Sequence, residues 1–220
     1  MFPLAPNMYF EIGAFITSVV LWPRLRATKL RWLLPYLLLI VSVEMTGRYI
    51  TYNLHKPNFW LYNFSIPAEY LFYSYIFLLH FRRGTHKGIA KWFLLLFLGF
   101  IVVNLFFIQG ISAFNSNFLK VGSLAMIIFS CLYFVEILTA DEVVNTLALP
   151  EFWLVVGIFL FNTGEFFSGV LSEIFVEQWQ KWRRSYATIN SGLIYLLYSC
   201  IITSIILASF KSKKQSTARQ

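Results

Sequence analysis

The chain has 220 residues, 58% hydrophobic and only 13% charged, with a formal net charge of +8. A soluble domain carries roughly 25% charged residues, so this chain cannot clothe a water-facing surface, and lipid must cover much of it. A strong positive charge on a soluble protein would point to nucleic acid. Here the basic residues sit in short loops between apolar runs, which is the positive-inside pattern of membrane proteins, and no nucleic-acid partner is expected.

A transmembrane helix needs about 20 apolar residues. Seven segments qualify: 5–22, 32–52, 59–81, 91–108, 118–139, 150–171 and 185–210. The expected fold is an all-α integral membrane protein, a bundle of seven transmembrane helices over 1–210 followed by a basic, disordered cytoplasmic tail at 211–220.

The first run has no basic residue before it, and Arg24, Arg26, Lys29 and Arg31 follow it. That polarity is the reverse of a cleaved signal peptide and suits a first span with its N-terminus outside. The first connection (23–31), the third (82–91) and the tail hold 12 of the 18 basic residues. The even connections hold Lys56, Lys120, Lys181, Arg183 and Arg184. The odd loops and the C-terminus are therefore placed in the cytoplasm. The fifth connection dissents, with Asp141, Glu142 and Glu151, but acidic residues weigh little in this rule.

Span two carries Glu44 and Arg48 four residues apart, in the order that favours an ion pair on one helix face. Span three carries Pro67 and Glu69. Its apolar length favours one whole span kinked at Pro67 over a helix beginning near Ser65. Glu69 has three open readings: a protonated carboxyl, a partner for Arg48, or a site for a cationic ligand. Span four contributes Asn104, and span five contributes Glu136 near its cytoplasmic end. Span six contains Gly157, Asn162, Gly164, Glu165 and Gly169; small residues permit close helix approach. The sixth connection, 173–184, reads as an amphipathic interfacial helix with Phe175, Trp179 and Trp182 at helical spacing. Span seven contributes Asn190.

Ionisable groups inside a span are costly and turn toward a bundle interior or a watery cavity. At helical rise, Glu44, Glu69 and Glu165 lie roughly 12, 15 and 9 Å below the outer surface, and Glu11, Asn104 and Asn190 fall in the same half. The expectation is an outward-facing polar cavity with Glu44, Arg48, Glu69, Asn162, Glu165 and Asn190 as ligand-binding residues. Interhelical hydrogen bonding alone is the competing explanation.

Several chemistries lack their residues. His55, His80 and His86 fall at loops or span ends on different sides, so no zinc-hydrolase ligand set converges. No lysine sits in mid-span seven for a retinal Schiff base. No phosphate-binding glycine loop or nucleophile elbow is present. Cys131 and Cys200 lie in apolar runs and read as small packing residues. The sequence points to no catalytic residue and no metal, and leaves any cofactor unknown.

The run Glu44-Met-Thr-Gly-Arg48, then Leu61-Tyr-Asn63 with Glu69, then Phe152-Trp153 with Gly157 and Gly164, resembles small standalone bacterial seven-span proteins. It is also loosely similar to the seven-span sensor regions of some histidine kinases. The resemblance implies a seven-helix fold in a bacterial inner (cytoplasmic) membrane. The leading functional expectation is a non-enzymatic membrane sensor or receptor-like module. It would bind a small-molecule ligand, and its basic loops would dock a cytoplasmic protein partner. A secondary transporter or channel is the alternative, and an intramembrane enzyme working with paired carboxylates is the third option.

Overall fold

The structure, a computed structural model, describes residues 5–111, 113–140, 145–174 and 179–217, and describes no side chains within 172–186 or 213–217. All regular structure among the described residues is helical. In chain order the helices are α1 (Pro6–Val20), the single turn α2 (Trp22–Leu25), α3 (Leu33–Tyr52), α4 (Phe59–His80), α5 (Gly84–Val103), α6 (Ser116–Leu138), α7 (Pro150–Ile174) and α8 (Trp179–Thr217). A 3-10 turn at Lys29–Trp32 leads into α3, and a π-helical turn at Asn104–Ile108 ends α5. Among the described residues five helices are long and apolar enough to cross a membrane: α3, α5, α6, α7 and α8 with their flanking turns. The apolar faces they expose, such as Leu95, Leu96 and Val102 of α5 and Phe107 of the turn that ends it, suit a bilayer environment.

The packing order explains where an interior can form. α1 packs on α3, α3 on α4, α4 on α6, α6 on α7, α7 on α8, and α8 returns to α1. Six helices thus close a ring. α5 packs outside it against α4, with a lesser contact to α6. Close approach is built from small residues. A Cβ at Gly157 of α7 would lie 2.8 Å from Cys200 Cβ of α8, and a Cβ at Gly122 of α6 would collide with the Tyr70 ring of α4. The core below is aromatic: Phe77, Phe81, Phe93 and Phe97 surround Phe129 and one another in stacked and edge-on pairs.

The helices depart from the predicted spans mainly at their ends. The third connection, predicted over 82–91, shrinks to residues 81–83, because α5 already begins at Gly84. The cause is Glu136 of α6. Its carboxylate accepts the amides of Arg82 (2.7 Å) and Arg83 (3.0 Å) and bonds His86 Nδ1 at 2.7 Å. Those donors would otherwise lack partners at the start of a helix, so one acidic side chain fixes where α5 starts. Pro67 lies inside a continuous α4, not at its beginning. The tail expected to be disordered is helical through Thr217, a correction. Ser, Lys, Gln and Thr follow Phe210 with no glycine or proline to stop the helix. The amphipathic segment predicted over 173–184 falls on residues 175–178 and on side chains outside the described residues. Its last residues, from Trp179, are helical and continuous with α8.

Candidate functional site

Inside the ring, toward the end where α3 finishes and α4 starts, lies a cavity of 530 Å³. Every ring helix contributes a side chain to it, and α5 contributes none. Four carboxylates line it from four helices: Glu11 (α1), Glu44 (α3), Glu69 (α4) and Glu165 (α7). Asn162 and Asn190 line it as well, and none of the described lining residues is basic.

Each carboxylate has its own surroundings. Glu69 is deepest in the hydrogen-bond network. Its Oε1 accepts from the hydroxyls of Tyr36 and Tyr73, each at 2.7 Å. Those two hydroxyl oxygens lie 2.5 Å apart, so three oxygens form a triangle that two phenolic protons must serve. Glu44 Oε1 accepts from Tyr62 at 3.3 Å. Glu11 is buried; its Oε1 accepts from Asn7 Nδ2 at 3.3 Å, and its Oε2 has no hydrogen-bond partner. Glu165 is 7% exposed and faces the cavity from α7.

The amides add unmet acceptors. Asn162, fully buried, donates its Nδ2 to the Ile158 carbonyl at 2.8 Å, which leaves Oδ1 aimed away from that bond and without a partner. Asn190 Oδ1 is likewise buried and unpartnered. A buried acceptor without a donor costs about 1–3 kcal/mol. Three such atoms on lining residues make a cavity short of donors.

The rim is held by amides, of which the sequence singled out Asn63 and Asn104 but not Asn115 or Asn117. Asn63 of α4 donates to the carbonyls of Ile111 (3.0 Å) and Ala113 (2.7 Å), and its Oδ1 accepts the Asn115 amide at 3.0 Å. Asn104, in the π-helical turn, donates to Asn115 Oδ1 at 2.5 Å and accepts from Asn117 at 3.0 Å. Gly110, at φ 75°, turns the chain in a conformation that suits glycine. This network fixes the residues on either side of Phe114, which lines the mouth. Asn104 therefore serves the rim and not the cavity wall, although the sequence placed it in the same half.

Of the six residues singled out from the sequence, Glu44, Glu69, Asn162, Glu165 and Asn190 line the one cavity, and Arg48 does not. Arg48 lies one helical turn beyond Glu44 and acts electrostatically on Glu11, Glu44 and Tyr62. The expected Glu44–Arg48 ion pair is not formed within 4.0 Å among the described residues; the Glu44 carboxylate turns to Tyr62 instead. Sequence reasoning also missed the tyrosines. Tyr62, Tyr70, Tyr73 and Tyr198 line the cavity, and Tyr36 stands behind Glu69. Their only signal was position, since Tyr73 lies one helical turn from Glu69 on the same face. No family model matches this chain, and comparison with the curated proteins and with the solved structures finds no similar chain.

Proposed function

We propose that the chain is a membrane sensor or receptor-like module that binds a small cationic ligand in this cavity. The observation that carries the reading is the convergence of Glu11, Glu44, Glu69 and Glu165 from four helices with no described basic side chain on the wall. Burying several charged carboxylates together is unfavourable unless they take up protons or something positive joins them. The unpartnered acceptors on Glu11, Asn162 and Asn190 ask for donors, which an ammonium or guanidinium group supplies. Tyrosine rings on the wall add faces that attract a cation.

In this reading α1 and α4 cross the membrane with the five more apolar helices, giving seven spans with the N-terminus outside and the C-terminus inside. α4 is about 33 Å long at helical rise, enough to span. Its lower hydropathy reflects the polar residues it turns inward: Asn63, Ser65, Glu69, Tyr73 and Ser74. A sensor is preferred to a carrier because the cavity ends on a packed floor. Tyr36, Leu37, Tyr73, Phe77, Leu197 and Ile201 are each no more than 3% exposed, and a carrier would have to open that layer at every cycle.

The test has two parts. Cysteine at Glu44 and at Glu69, in a background lacking Cys131 and Cys200, should react with a membrane-impermeant thiol reagent from outside. Titration of the purified chain with small amines and matched carboxylic acids should show binding of amines only. Glu69→Gln should weaken that binding on the order of 30-fold or more. Protection of both cysteines under every condition, or binding of acids in preference to amines, would sink the reading.

A further inference from the structure

At the opposite end of the bundle a second cavity, of 320 Å³, opens where α4 ends and α5 begins. Its wall carries Lys29, Arg82, Lys87 and Lys211. It adjoins a 360 Å³ groove that shares Lys29, Glu151 and Lys211 with it. Two carboxylates also line it, but among the described residues neither forms an ion pair with a lysine or arginine of the wall. Glu136 is occupied by the Arg82 and Arg83 amides and by His86. Glu151 lies 4.0 Å from His80 Nε2. Among the described residues Arg82, Lys87 and Lys211 form no ion pair. Lys29 spends one of its three donors on the Leu79 carbonyl, at 2.7 Å.

His80 gives the site a second, separate requirement. Its side chain is 5% exposed. Nδ1 lies 2.8 Å from the Ile76 carbonyl, which can only accept, so Nδ1 carries the proton. In the neutral ring Nε2 is then an acceptor; it is buried and has no hydrogen-bond partner, on a residue that lines this cavity. A ligand that satisfies the wall therefore carries an anion for the lysines and a hydroxyl for the imidazole.

Exposed apolar side chains lie at the same end of the bundle. Leu138 is 82% exposed, Leu147 60% and Phe210 62%, and each lies one or two residues from a side chain lining one of the two hollows. A soluble phosphate has no use for such a ledge, whereas acyl chains do. We propose that this cavity binds the headgroup of an anionic glycerophospholipid bearing a free hydroxyl. Its phosphate oxygens meet Arg82, Lys87 and Lys211, and its hydroxyl donates to His80 Nε2. Basic pockets between helices at a membrane face are suited to such headgroups.

The experiment uses the full chain in detergent, with lipid binding followed by native mass spectrometry. The probes are phosphatidylglycerol, phosphatidic acid, phosphatidylcholine and soluble glycerol phosphate. Phosphatidylglycerol should be retained in preference to the other three. Lys87→Gln with Lys211→Gln should weaken it on the order of 30-fold. Lys56→Gln with Lys91→Gln, which removes the same charge from exposed positions outside the cavity, should leave it unchanged. His80→Phe should abolish the preference for phosphatidylglycerol over phosphatidic acid while phosphate binding persists, a change that simple misfolding would not produce. Equal losses in the two lysine pairs, or no preference over phosphatidylcholine, would overturn the site. Glycerol phosphate binding as tightly as phosphatidylglycerol would overturn the lipid as its occupant.

Discussion

The acidic cavity takes its carboxylates from the interior of four helices, whereas the basic cavity takes its cations from helix ends and connections. Lys29 sits in the 3-10 turn, Arg82 in the link before α5, Lys87 in the first turn of α5 and Lys211 near the end of α8. The two constructions have different energetics. A lysine at a helix end keeps its ammonium near water and burdens the fold little. A glutamate held within the ring gives up its hydration and needs local donors or a ligand. The tyrosine hydroxyls around Glu69 and the amide on Glu11 meet part of that need. Basic residues at one end are what any positive-inside chain acquires, so His80 and the apolar ledge are what turn that end into a candidate site.

The sharpest way to break this contrast is topological, with an all-or-none outcome. A reporter fused after Phe210 should be cytoplasmic, and one inserted among residues 53–58 should be external. If both report the same side, the cavities do not open on opposite faces. Next in size is Glu136→Ala. It strips the acceptor from two amides and a histidine, and the loss should reach about 4 kcal/mol. Melting should drop sharply, while amine binding in whatever remains folded should be unchanged. An effect on amine affinity would show that the two ends are not separately built.

Gly122→Val should cost about 2–3 kcal/mol by overpacking. The Tyr70 ring it would strike is tied to Ser123 at 2.8 Å and cannot easily move aside. A neutral result in a thermal melt would mean that α4 and α6 pack less closely than described. Tyr73→Phe removes one donor from Glu69 and should cost about 1.5 kcal/mol without touching lipid retention at the basic end. The smallest effect is the Glu44–Tyr62 contact. A double-mutant cycle with Glu44→Gln and Tyr62→Phe should give a coupling of about 0.5–1 kcal/mol, and zero coupling would show that the 3.3 Å contact is not formed.

Hydropathy located the long helices because each apolar run is bounded by polar loops. It misplaced ends wherever polar residues are themselves helical, as in 84–90 and 211–217. No sequence pattern told that α5 would stand outside the ring, since its apolar run reads like those of ring helices; only the packing partners decide that. Of the candidate site, the charged and amide residues in apolar runs were legible because their burial demands a reason. Glu44 and Arg48 illustrate the limit. Spacing made an ion pair reasonable, but the Tyr62 hydroxyl, arriving from the next helix, takes the carboxylate. Glu136 likewise looked like an isolated carboxylate until the backbone of residues 82–83 was brought beside it.

α8 is about 58 Å long at helical rise and lines both hollows. Asn190, Ile194, Leu197 and Tyr198 face the acidic one, and Lys211 faces the basic one. Tyr198 and Lys211 are about 20 Å apart along a single uninterrupted rod. Sliding or turning such a rod at one end bears on the other, so a displacement at Tyr198 is passed toward Lys211. Any preference one occupant has for a setting of this rod is returned in equal measure to the other, because linkage between two sites is symmetric.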